Sequence, residues 1–250
     1  MLVLAALFAL TAALYATVGF GGGSTYNALL ALHGTDYRIL PAIALTCNII
    51  VVTGGTIRFA RAGLIPWKRI WPILLLSAPL AWAGGLTPIS QTLFLGLLGG
   101  ALLIAGLLML FQRDASDAAP LRDSPWIAPG AGAGIGYLSG LVGIGGGIFL
   151  APLLHLLHWD RAKPIAATAS VFILVNSITG LIGQTMKIGT LGLAGDVAAH
   201  WPLFVGVLIG GQIGSIASLK LFSQRTVKRL TAVLVLYVAV RLLWQIATGA

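Results

Sequence analysis

Glutamate is missing from this chain of 250 residues, and its acidic groups are six aspartates. Charge of either sign is scarce: charged residues make up 8% of the sequence against 58% hydrophobic, and the mean hydropathy is +0.98. That balance excludes a soluble globular domain and describes an integral membrane protein. Asp36, Asp114, Asp117, Asp123, Asp160 and Asp196 all fall in loops or at helix starts, which excludes a proton relay of intramembrane carboxylates. Cysteine is almost absent as well. Cys47 stands alone in an apolar run, so neither an internal disulfide nor a cysteine-based metal cluster is available. No grouping of His, Cys and Asp at membrane depth offers a nucleophile with its base, or a metal set. An enzyme is therefore not expected, and no cofactor is. Met1 to Thr17 lacks the basic start of a cleavable signal.

The charge that exists is one-sided: fifteen Lys and Arg against six Asp give +9. These basic residues sit in short loops between apolar runs, where topology and anionic lipid headgroups account for them. Nucleic acid is not an expected partner; the bilayer is.

Glycine, by contrast, is plentiful and ordered. Val18 to Ser24 reads VGFGGGS and returns 124 residues later as VGIGGGI, Val142 to Ile148. Each copy interrupts an apolar segment with four glycines in five positions. A break in such surroundings lies inside the bilayer, where unpaired backbone is tolerated only against protein or a water-filled cavity. Two breaks at matching positions of two half-chains point to a transporter's binding site. Free N–H groups followed by a helix start form a nest that favours an anion. A nucleotide loop is excluded, because the flanks are not strand and helix and the Walker Lys-Ser/Thr is missing. Gly99-Gly100, Gly132, Gly134, Gly136 and Gly210-Gly211 are expected only to let helices pack closely.

About 20 apolar residues cross the hydrocarbon as a helix. Met1–Leu32 is too long for one straight span and reads as a helix to Val18, a kink at Gly21–Gly23, and a short arm from Ser24. Helices follow over Pro41–Phe59, Ile70–Leu86 and Thr92–Phe111. The polar run 112–125 separates a first repeat, 1–111, from a second, 126–250. The second half carries a broken segment, Trp126–Leu157, then helices over Pro164–Met186, Val197–Leu219 and Val227–Ala247. Trp71-Pro72 recurs as Trp201-Pro202, with Gly84 and Gly214 each twelve residues past the proline. Arg58 and Arg61 precede Gly63 by the same spacing as Gln184 and Lys187 precede Gly189. This ordered series is a duplication.

Charge placement gives the halves a relative orientation. If every apolar segment crossed once, the basic loops Arg58–Arg69 and Lys220–Arg229 would face opposite sides, against the positive-inside tendency. If each glycine-broken segment instead enters and returns, twelve basic residues share one side and only Arg38, Lys187 and Arg241 lie on the other. The expected fold is all-α: two inverted repeats, each a re-entrant broken helix followed by three transmembrane helices.

Polar residues within apolar helices supply the remaining site candidates: Thr46 and Asn48 after the first break, Thr168, Ser170 and Asn176 after the second. Their hydroxyls and amides suit an oxyanion, although Ser and Thr also bond back to their own helix. The expected substrate-binding set is Gly21, Gly22, Gly23, Ser24, Thr25, Thr46, Asn48, Arg58, Gly145, Gly146, Gly147, Thr168, Ser170, Asn176 and Gln184. Arg58 either reaches inward or snorkels to the interface. Trp67, Trp71, Trp126, Trp159 and Trp201 read as interfacial belt residues.

On Gly143–Gly147 with Pro152 five residues on, the matching Gly19–Gly23, the run Ala167-Thr168-Ala169-Ser170 and the ending Gln184…Gly189, the chain resembles the TauE/SafE family of sulfite-exporter-like permeases. Ala28 departs from the pattern where the second copy has Pro152. The resemblance implies movement of a small sulfur-containing or organic anion, such as sulfite, a sulfonate or sulfoacetate, across a bacterial inner membrane. The expected function is secondary transport by alternating access around the two breaks. A passive anion channel or membrane scaffold is the alternative, and a membrane-embedded enzyme the remoter one.

Overall fold

The protein is described by a computed structural model over residues 1–18, 21–111, 127–217 and 224–248. The polar run 112–125, and Gly19 of the first break, lie outside the described residues. Eleven helices and no strand are found among the residues described. Before the polar run come α1 (Leu2–Val18), α2 (Gly23–Leu32), α3 (Leu40–Arg61), α4 (Trp67–Leu86) and α5 (Gln91–Phe111). After it come α6 (Ile127–Val142), α7 (Gly147–Leu156), α8 (Ala162–Leu191), α9 (Ala194–Ala199), α10 (Trp201–Ala217) and α11 (Gln224–Thr248). Helix is the expected answer for apolar runs, since a backbone in lipid must satisfy its polar groups within the segment. Four helices, α3, α4, the 91–110 stretch of α5, and α8, are long and apolar enough to cross a membrane. Large apolar side chains face outward along them and their neighbours, among them Leu75 at 64%, Ile104 at 55% and Trp244 at 70% exposure. In water that surface would be a liability; in lipid it is the solvated face.

Helix boundaries follow local chemistry. Pro41 sits in the first turn of α3, where its missing N–H costs no bond. Asp160 Oδ1 accepts the Arg161 N–H at 2.7 Å just before α8. α8 runs five residues past the expected Met186, through a Gly189 that is helical and free of close neighbours, and stops at Gly192 with φ 71°. The short α9 was not expected from the sequence; it precedes α10 by the single residue His200.

Helix pairs form across the repeats, and small residues set their direction. Gly206, Gly210 and Gly214 of α10 lie against the backbone carbonyls of Ala5, Ala9 and Ala13 of α1. A methyl group added at Gly206 would stand 2.7 Å from the Ala5 oxygen. Gly136 and Gly140 of α6 meet the backbone of Ser77 and Ala81 of α4 in the same way, and Gly132 meets the side chain of Ile73. Both rows advance together at four-residue steps, so α1 and α10 run parallel, as do α4 and α6. The equivalent helices α3 and α8 run antiparallel: Thr56 Oγ1 bonds Ser170 Oγ at 2.8 Å, while Leu45 faces Gly180. The equivalent helices α5 and α11 are antiparallel too, with Gly96 against Ile246, Gly99 against Leu243 and Gly106 against Leu236. The packing expected of Gly99, Gly132, Gly136 and Gly210 is present, whereas Gly100 and Gly134 have open space beside them.

This arrangement gathers charge at one end. Arg58 and Arg61 end α3, Lys68 and Arg69 begin α4, and Arg161 and Lys163 flank the start of α8. Arg69 Nη1 bonds Asp160 Oδ2 at 2.9 Å, and its guanidinium lies 4.2 Å from the Trp159 ring centroid. Trp159, expected in the interfacial belt, is instead buried at 5% exposure beneath that cation, whereas Trp67, Trp71 and Trp201 are exposed as expected. In the link before α3, Arg38 forks onto Asp36 at 2.6 Å and holds that carboxyl below its usual value.

Candidate functional site

The two glycine breaks, far apart in sequence, lie against each other. A methyl at Gly23 would stand 2.7 Å from the Ile144 carbonyl oxygen, and Asn27 Nδ2 of α2 donates to the Val142 oxygen at 2.9 Å. Asn48, on α3, is wedged between them. Its Nδ2 donates to Ile144 O at 3.2 Å, and methyl groups at Gly21, Gly23 or Gly145 would each collide with its amide. Ile173 of α8 closes the junction, 3.2 Å from a methyl placed at Gly21 and 3.0 Å from one at Gly145.

The short helices begin at these breaks because the glycines turn the chain. Gly22 at φ 85° and Gly146 at φ 76° are left-handed N-caps of α2 and α7. A residue with a Cβ is strained there. The turn at the first break brings α2 back beside α1. Tyr15 OH and Thr25 Oγ1 are hydrogen-bonded at 2.9 Å, and the rings of Phe8 and Tyr26 stack at 4.8 Å. Phe8 lies seven residues before Tyr15, about 10 Å back along α1, while Tyr26 directly follows Thr25.

The N–H groups of Gly145, Gly146, Gly147 and Ile148 meet no acceptor among the described residues. The hydroxyls of Ser139 and Ser177 are buried without a partner, Ser177 Oγ standing 3.3 Å from a methyl placed at Gly145. Tyr26 OH, beside Gly22, is likewise buried and unpartnered. Unpaired backbone donors with helix starts behind them are what an anion requires; the amide oxygens of Asn27, Asn48 and Gln184 are buried and unpartnered there as well. No cluster of three or more His, Cys, Asp or Glu able to hold a metal occurs among the described residues.

The expected site residues divide into three groups. Gly21, Gly22, Gly23, Ser24, Thr25, Asn48, Gly145, Gly146 and Gly147 come together at the junction, and the first five are buried. A second group serves helices. Thr46 Oγ1 bonds back to Ala42 O at 2.8 Å, and Asn176 Nδ2 bonds back to Phe172 O at 2.9 Å. Ser170 pairs with Thr56, and Gln184 Nε2 donates to Gly140 O at 2.7 Å. Thr168 is buried with its hydroxyl unpartnered, one residue from the Ala169 carbonyl that faces Gly147. Arg58 stands apart: it is exposed, ten residues beyond Asn48 on the same helix, about 15 Å along its axis. Sequence reasoning missed Asn27, Tyr26 and Ser139. Asn27 had a signal, an amide closing the polar run Ser24–Asn27 four residues past the glycines; the other two had none.

The model of the family described as sulfite exporter TauE/SafE matches residues 3–242. The probable membrane transporter protein y4hK of Sinorhizobium fredii is 30% identical over 245 residues, covering 96% of this chain and 97% of that protein. The probable membrane transporter protein YunE of Bacillus subtilis is 27% identical over 135 residues, 52% of this chain and 46% of YunE. A probable membrane transporter protein of Methanocaldococcus jannaschii is 30% identical over 176 residues, 66% of this chain and 64% of its own length. No solved structure matches. A family match across nearly the whole chain, on a multi-pass apolar helical frame, places this protein in the TauE/SafE sulfite exporter family of membrane proteins.

Proposed function

We propose that the protein is a secondary transporter that moves a small anion by alternating access around the junction of its two glycine breaks. The observation that carries this reading is the unpaired N–H run Gly145–Ile148 opening onto a junction that both repeats build and Asn48 bridges. Buried N–H groups without acceptors are costly unless a ligand supplies them. Helix starts carry roughly half a positive charge each, so two of them offset about one anionic charge. A monovalent sulfur oxyanion, sulfonate or carboxylate fits that balance better than a dianion. The names of the family and of its relatives support transport; sulfite or an organosulfonate is the substrate class proposed here.

Alternating access draws support from the helix directions. Repeats related by an axis along the membrane normal would keep every equivalent helix parallel, but α3 opposes α8 and α5 opposes α11. The contacts of α2 with α1 support a first broken segment that returns to its own side, and inverted halves are the reading we adopt from them. Inverted repeats around a midplane site are the architecture that rocks between two faces. We place the basic end in the cytoplasm of a bacterial inner membrane.

A thermal-stability screen of the purified protein against bisulfite, methanesulfonate, formate and matched cations tests the site, because a ligand of the native state alone stabilises it. Stabilisation by anions only is expected; stabilisation by cations only would end the anion reading. Saturable counterflow in liposomes separates a carrier from a passive channel, which would conduct without exchange.

A further inference from the structure

The end of α6 ought to gather cations. The last four carbonyls of a helix lack intrahelical partners and form the negative pole of its dipole. In α6 these belong to Ser139, Gly140, Leu141 and Val142, with the Gly143 and Ile144 carbonyls following in the break. A gap between that pole and the N–H pole of α7 would offer ligands to either sign of ion, as interrupted helices do when carbonyls coordinate cations and N–H groups hold anions.

All but the Gly143 carbonyl have a donor among the described residues. The Gly143 N–H donates to Ser139 O at 2.8 Å. Gln184 Nε2 reaches Gly140 O at 2.7 Å and Leu141 O at 3.3 Å. Asn27 Nδ2 takes Val142 O at 2.9 Å, and Asn48 Nδ2 takes Ile144 O at 3.2 Å. The three amides arrive from α2, α3 and α8, and each side chain is fully buried. Among the described residues the N–H side of the same break has no comparable partners, and the Ser139 and Ser177 hydroxyls beside it are unpartnered as well. Three separate elements turn amide nitrogens to the carbonyl pole and none to the N–H pole, and the oxygens of the same amides are buried without partners.

We infer that Asn27, Asn48 and Gln184 are positioning residues that cap the negative pole of α6 with their amide nitrogens while the N–H pole of α7 stays uncapped. They thereby set the sign of the ion the junction accepts, although their donor nitrogens face the backbone. The inference rests on the anion reading proposed above. It belongs to the second break: the duplication puts Ala151 at the place equivalent to Asn27, and an alanine cannot cap a carbonyl.

Two measurements on the full chain test it. In liposomes, fluxes of bisulfite and methanesulfonate are compared with those of sodium and potassium for the wild type, Asn27→Leu, Asn48→Leu and Gln184→Met. Each variant frees one or two carbonyls without adding charge, and the anion-to-cation flux ratio should fall about tenfold, the effect of one polar partner lost in a buried site. A merely structural role would lower all fluxes together and leave the ratio at the wild-type value; that result overturns the inference. The second measurement needs no variant. In wild-type protein labelled with nitrogen-15, bisulfite should shift the backbone N–H signals of Gly145, Gly146 and Gly147 and leave the Asn and Gln side-chain amides in place. Shifts in the side-chain amides with the glycines unmoved would make those amides the anion's donors and sink the inference. If the wild type moves no small anion at all, the parent reading fails first, which is a distinguishable outcome.

Discussion

Replacing Gly146 by alanine should cost far more than the same change twelve residues earlier. At Gly146 the backbone sits at φ 76°, and a methyl group would lie 2.8 Å from Phe172 Cε1 and 2.9 Å from Ile135 Cγ2. A left-handed residue with a Cβ costs about 1–2 kcal/mol. Overfilling a packed site adds about 1–3 kcal/mol, since both neighbours are core side chains that must shift. Gly134 is an exposed glycine inside α6 with nothing within 4 Å of the added methyl. Alanine there should stabilise by about 0.5–1 kcal/mol, the ordinary helix preference. The two variants should therefore differ by roughly 3–6 kcal/mol, the sum of these effects. Unfolding from mixed micelles as the fraction of denaturing detergent rises, followed by circular dichroism, measures the difference. Equal stability of the two variants would refute the reasoning that the break is a strained, packed turn. The larger Gly146→Leu and Gly22→Leu changes should abolish transport while membrane insertion persists, because the apolar spans still supply insertion energy.

Asp160→Asn should destabilise the basic end by about 1–2 kcal/mol, between exposed and buried ion pairs, because Arg69 and Asp160 are only 29% and 15% exposed. A double-mutant cycle with Arg69→Gln checks that the loss belongs to the pair. Asp36, held below its usual value first by the hydrogen bond from Arg38, contributes stability that is present above the ordinary carboxylate range and lost as pH falls through the lowered value. Asp36→Asn should lower stability slightly at neutral pH, where the charged pair is intact, and flatten the profile below about pH 4, where the two proteins converge; an unchanged acid limb would contradict this. Single cysteines at Arg61 and Arg161, in a Cys47→Ala background, should react with an impermeant reagent from one side, and cysteines at Arg38 and Asp196 from the other. Arg61 and Arg161 labelling from opposite sides would remove the inverted arrangement.

The frame was legible because its signals are local. Apolar run length, the duplicated VGxGGG breaks and Pro41 fixed where helices start and stop, within a few residues. The junction was legible in part. Glycines at φ 85° and 76° had to be glycine, and their repetition marked them as a pair. Which groups donate at that junction was not legible, since it depends on contacts across 96 and 115 residues, Asn48 to Ile144 and Asn27 to Val142. Composition offers Asn48 and Gln184 as ligands; only tertiary structure shows their nitrogens turned to carbonyls. Trp159 misled for the same reason. A tryptophan at a span's end reads as a belt residue, and nothing local reveals an arginine from position 69 lying over its ring.

A structure of the protein with a selenium-bearing analogue of sulfite tests the central claim most directly, because anomalous scattering locates the anion without interpretation of its shape. The account predicts a single strong peak within hydrogen-bond reach of the Gly145–Ile148 N–H groups, between the two breaks. A peak confined to the basic rim around Arg58 and Arg61, with the junction of the breaks empty, would contradict it.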